Sequence, residues 1–190
     1  MGPIGTRHGA AASNNAETLH VSVNRAPVLT LWAAVVAERL GFGRDEALTM
    51  GRVVAGLNAY AKGKSLGIFK PAPDEVKRVR KGAVHGTQLH VDLLHRAVPV
   101  IHTPQGLRAL SKDKPLDPDI VQRYLESKFG DALSPVEAAM NALARSLDLE
   151  DLAARSFELY ESFRPEVPAG TRGWGAAGVL DLARIRTAGG

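Results

Sequence analysis

The chain has 190 residues, no cysteine, and a formal charge of +4 from 24 Lys and Arg against 20 Asp and Glu. That length suits one domain able to bury about two-thirds of its extended-chain surface, and 45% hydrophobic with 23% charged residues is ordinary for a globular protein. The lack of cysteine excludes disulfides, thiolate chemistry and zinc ribbons, and no apolar run is long enough to span a bilayer, so a cytoplasmic protein without a membrane segment is expected.

In chain order, residues 1–18 are rich in Gly, Ala, Ser and Asn without periodicity and are expected to form a disordered leader. Residues 19–186 are expected to form a single, mainly helical domain. Leu19 to Val23 alternates, as a short strand or a lead-in. Asn24 is placed to cap a helix with Pro27 in its first turn, and Val28, Leu31, Trp32, Val35 and Val36 recur at helical spacing. Gly41 and Gly43 end that helix. A second is predicted from about Asp45 to Lys62, with Gly51, Ala55 and Ala59 as a small-residue stripe that admits a close neighbour. The short connection requires the two helices to pack as a hairpin or a helix-turn-helix.

Residues 62–86 then form a basic connector. Lys62, Lys64, Lys70, Lys77, Arg78, Arg80 and Lys81 face only Asp74 and Glu75, a local charge of +5, while the other 170 residues sum to −1. A segment of this kind contacts something anionic or stays solvated. Only Phe69 is nearby for base stacking, so contact with phosphates without sequence reading is the expected form of nucleic-acid binding. An acidic protein surface is the alternative partner.

Gln88 to Leu93 alternates with period two, and His95-Arg96 turns the chain into Val98-Pro99-Val100-Ile101. A small β-hairpin near 88–102 is expected, with a helix over 88–95 as the alternative. Thr103-Pro104 has the form of a cap followed by a first-turn proline, predicting a short helix through Leu110. Further helices are predicted after Asp117-Pro118, after Ser134 with its capping-box partner Glu137, and after Asp148. Arg164-Pro165 stops the last of these. A Gly/Pro-rich stretch around Trp174 leads to a short helix from Val179 to Ile185. The fold expected is mainly α, with six or seven helices and one hairpin.

Motifs with a chemical mechanism are sparse. Gly63-Lys64-Ser65 lacks the first glycine and the preceding strand of a phosphate-binding loop. The first two helices partly fit a DNA-reading helix-turn-helix, but the second opens with Asp45 and Glu46, which repel DNA. His85, His90, His95 and His102 lie near Asp92 without metal-ligand spacing, so neither a metal nor a cofactor is expected. No catalytic residue can be nominated, and the balance leans away from an enzyme, with an enzyme whose unrecognised pocket lies between the hairpin and the helices as an alternative. Trp174, set between glycines, cannot bury itself locally; it docks on its own domain or mediates self-association as a homodimer contact.

Three stretches resemble a group of small, soluble bacterial proteins with no assigned biochemistry: Ser22 to Trp32, Ala55 to Lys64, and Phe163 to Pro168 with Gly173-Trp174-Gly175. The resemblance covers roughly residues 19–186. It implies a bacterial cytosolic protein and carries over no functional residue. The function expected is a non-enzymatic binding or regulatory module.

Overall fold

The computed structural model describes residues 19–65, 88–171 and 175–190, and its centre is a helix buried on every side. In α1 (Arg25–Arg39) the eleven consecutive residues from Pro27 to Ala37 are all buried. A helix with one apolar face would bury about half of them; an all-round apolar run calls for neighbours all round. Those neighbours are α2 (Arg44–Ser65), α4 (Leu133–Ser146) and α5 (Leu149–Phe163), with α3 (Pro118–Phe129) touching more lightly.

The α1–α2 contact is the closest of these. A Cβ built on Gly51 would run into the Thr30 carbonyl oxygen and stand 2.9 Å from the Ala34 nitrogen, so glycine is the residue that lets the two backbones meet. On the opposite side of α1, Trp32 donates its indole N–H to the Ser156 carbonyl at 2.8 Å and meets the edge of Phe163 at a centroid distance of 5.4 Å. The buried polar atom is thereby satisfied while the ring fills the core.

Two antiparallel sheets flank the helices. β1 (His20–Val23) pairs with β6 (Gly178–Asp181), joining the beginning and end of the described chain, and α6 (Leu182–Thr187) follows directly. The second sheet is a meander of β2 (Leu89–Leu93), β3 (Arg96–Thr103), β4 (Gly106–Ser111) and β5 (Lys114–Pro115) in that order. Along the outer side of β4, ahead of the short β5 pairing at Leu110 and Ser111, helix α2 stands where a longer strand would. The Glu46 carboxylate accepts the Leu107 N–H at 2.9 Å and the Thr49 hydroxyl accepts the Ala109 N–H at 3.0 Å. Thr49 in turn donates to the Glu46 carbonyl at 2.9 Å. Side chains of a helix thus complete a strand's hydrogen bonds.

This architecture overturns the expectation of a mainly-α fold of six or seven helices with one small hairpin. Among the described residues there are five helices of twelve residues or more, one six-residue helix, and six strands in two sheets: a mixed α+β fold. The hairpin near 88–102 is half of a larger sheet, and its turn is Leu94-His95, at φ 49° and 57°, one residue earlier than expected. Thr103-Pro104 opens no helix. The Thr103 hydroxyl accepts the Gln105 N–H and donates to the Gly106 carbonyl, closing a tight turn into β4. Lys112-Asp113, at φ 50° and 62°, makes the next turn without the Asn-Gly that normally marks it. Val179 to Asp181 is strand rather than helix, drawn out by pairing with β1.

Helix starts are mixed in the same way. Asp117 and Asp148 cap α3 and α5, accepting the N–H groups of Asp119 and Asp151 at 2.9 and 2.8 Å. Ser134 caps nothing, because a 3₁₀ turn over Gly130–Ala132 feeds directly into α4 and places Ser134 inside its first turn. Its supposed capping partner, Glu137, instead binds Arg44, which also reaches Glu38 and Gln122.

Candidate functional site

The residues nominated from sequence fall largely outside the described part of the chain. Lys70, Lys77, Arg78, Arg80, Lys81 and Trp174 lie there, as does His85. Lys62 is exposed on the last turns of α2. Lys64 belongs to the same helix, which runs on to Ser65, so Gly63-Lys64-Ser65 is helical and does not form a phosphate-cradling loop.

The described histidines are dispersed. His90 and Asp92 share the exposed face of β2, and His102 is near the end of β3. His95 sits in the β2–β3 turn with its Nε2 3.0 Å from the Ala154 carbonyl of α5. No group of three His, Asp or Glu side chains suited to a metal forms among the described residues.

The first turn of α2, where a base-reading helix would meet DNA, is occupied by the sheet. Glu46 is tied to Leu107 and also accepts the Gly43 N–H at 3.0 Å. These two backbone donors, helped by Arg108, hold its carboxyl below the ordinary value of 4.5. Arg108 lies buried against the Leu107 carbonyl, with Asp45 3.8 Å away. Burial pushes Tyr160 up to about 12, and its hydroxyl donates to the Arg25 carbonyl. Both of these groups serve the packing of elements, and neither lines the groove between α2 and the sheet.

Among the described residues, a groove of about 660 Å³ lies between α2, the sheet and the start of α3. Arg52, Val53, Gly56 and Leu57 form its α2 wall; Pro99 and Leu110 come from β3 and β4; Lys112-Asp113, Leu116 and Ile120 close the far side. The lining is mainly apolar. Gly56 stands open on the α2 wall, where an added Cβ would meet nothing within 4 Å. Arg52 lies 4.6 Å from the centre of the Tyr124 ring, a cation–π contact that fixes one lip. Burial raises the Tyr124 phenol, and the Arg52 charge works against that shift.

The only titratable groups lining the groove are Arg52, Lys112 and Asp113, which provide neither a nucleophile with its base nor a paired acid and base. The arrangement suits holding an apolar side chain between charged lips. A pocket between hairpin and helices was among the expectations from sequence, but its residues were hidden because its walls come from four elements and the Lys112-Asp113 turn that closes it carries no turn signature. Among the described residues, no helix is long and apolar enough to cross a membrane.

Comparison with protein-family models, with curated proteins and with solved structures finds no match to this chain.

Proposed function

We propose that the protein is a cytoplasmic, non-enzymatic binding module that contacts the phosphate groups of nucleic acid, without reading sequence, through the basic stretch from Lys62 to Lys81. One observation supports this above the rest. The described residues hold seventeen Lys and Arg against seventeen Asp and Glu, so the positive excess of the chain lies outside them. Four arginines of that neutral body are committed to the fold. Arg25 donates to the Pro165 carbonyl, Arg96 to Asn58, and Arg44 to Glu38, Glu137 and Gln122. Arg184 donates to Glu166 and to the Ser162 carbonyl. Cations spent in this way add little to an external field, whereas an uncompensated run attracts polyanions.

The test is a salt titration with random-sequence single- and double-stranded oligonucleotides. With about four phosphates contacted, log K is expected to fall against log salt with a slope of roughly −3 to −4. Replacing Lys77, Arg78, Arg80 and Lys81 by Gln should weaken binding equally for all sequences and flatten the slope. No binding at low salt, or a slope near zero, sinks the reading.

A further inference from the structure

The outer margin of the four-stranded sheet is complementary to itself. β2 pairs with β3 from Leu89↔Val100 to Leu93↔Arg96, and no strand lies beyond it among the described residues. Successive residues of an antiparallel strand aim their backbone groups to alternate sides. Leu93 and Arg96 close the Leu94-His95 turn, so Leu89, Val91 and Leu93 aim theirs at β3, while His90 and Asp92 aim theirs outward. The same count along β4, started from the Thr103↔Gly106 pair, puts Leu107 and Ala109 outward, where Glu46 and Thr49 meet them. Among the described residues, nothing meets the outward groups of His90 and Asp92. The usual protections of an open edge are missing: Leu-His-Val-Asp-Leu contains no Lys or Pro and runs in register without a bulge.

On one face of β2, Leu89 is 41% exposed and Val91 is half-buried against the core, so the apolar layer runs out to the margin. On the other face His90 and Asp92 are exposed, and their neighbours on β3 are the uncharged Pro99 and Ala97. Neither His90 nor Asp92 forms an ion pair among the described residues. We infer that β2 pairs antiparallel with β2 of a second copy, about a twofold axis through Val91. Outward groups must meet outward groups, so such an axis passes through His90, Val91 or Asp92. At Asp92 it opposes two carboxylates, and at His90 two imidazoles. At Val91 it sets His90 against Asp92 of the other copy twice, an imidazole N–H beside a carboxylate each time, and brings Leu89 opposite Leu93 of the other copy. The alternation of His and Asp is thus matched by the same strand run backwards. One short strand makes a small interface, so a weak, reversible association is expected. This pairing is independent of phosphate binding by the basic stretch.

Sedimentation velocity of the full chain over a concentration series is expected to show monomer passing to dimer. His90→Asp opposes two carboxylates, and Asp92→Lys opposes an imidazole and an ammonium. Each should weaken association roughly tenfold or more, with the thermal melt retained because both positions are exposed, and the double exchange should restore it. The chain has no cysteine, so single replacements give an independent reading. Across a non-hydrogen-bonded pair the Cβ atoms stand about 4.5–5.5 Å apart. Val91→Cys should therefore form a disulfide dimer under mild oxidation, and Leu89→Cys, displaced from its own counterpart, should form little. A wild type that stays monomeric throughout overturns the inference. So does a double exchange no tighter than its singles, Leu89→Cys crosslinking as fast as Val91→Cys, or a dimer lost with Trp174→Ala but kept in both single β2 charge variants.

Discussion

Helix α2 has two halves that obey different constraints. From Ala47 to Ala55 nearly every residue is buried; past Ala55, among residues whose side chains are described, only Gly63 is. A glycine marks each half. Gly51 sits where a methyl group would collide with the backbone of α1, and Gly56 sits where it would meet nothing. The same residue type therefore carries opposite meanings five positions apart. One lets two helices touch, and the other stands open on a groove wall at a cost in helix propensity. The half that is locked builds the fold, and the half that is open stays largely accessible to solvent.

The sharpest way to break this comparison is Gly51→Ala. The collision is with a carbonyl and an amide of a fully packed helix, which cannot rotate away, so the two helices must separate. The loss is expected near the top of the overpacking range, about 3 kcal/mol, or a fall of roughly 10 °C in Tm for a chain of this size. An unchanged melt would mean that the α1–α2 approach is looser than described. Next in size is Thr49→Val, which keeps the shape but removes the hydroxyl that accepts the Ala109 N–H. That buried donor is then left without its partner, for a loss of about 2 kcal/mol in chemical denaturation. A neutral result would show that the edge of β4 finds other acceptors. The smallest effect is of opposite sign: Gly56→Ala should stabilise by about 1 kcal/mol, since alanine is the better helix former and no atom opposes its methyl group. Loss of stability there would place Gly56 in a tight contact and end the contrast.

Much of the helical part was legible because its signals are local. Asp117-Pro118-Asp119 and Asp148 through Asp151 announce caps whose donor and acceptor lie within three residues, and the structure uses both. Thr103-Pro104 shows where locality fails: a threonine hydroxyl satisfying a nearby N–H serves a helix cap and a tight turn equally, and only the pairing of β4 with β3 decides between them. Gly178 to Asp181 becomes a strand by pairing with residues more than 150 positions away, a contact that no local pattern carries. The apolar run of α1 was visible, but its burial on all sides depends on what surrounds it. The basic stretch was legible as charge, whereas the residues of the groove were not, because Gly56 and Ile120 approach each other only once the sheet has been set between α2 and α3.

The manner in which α2 closes β4 has a consequence for how this sheet can grow. With the amides of Leu107 and Ala109 already committed to Glu46 and Thr49, that margin offers no template at those positions for an incoming chain. The opposite margin, β2, has no strand beyond it among the described residues. An incoming strand is thereby denied Leu107 and Ala109 of β4, while β5, only two residues long, edges the sheet beside Leu110 and Ser111.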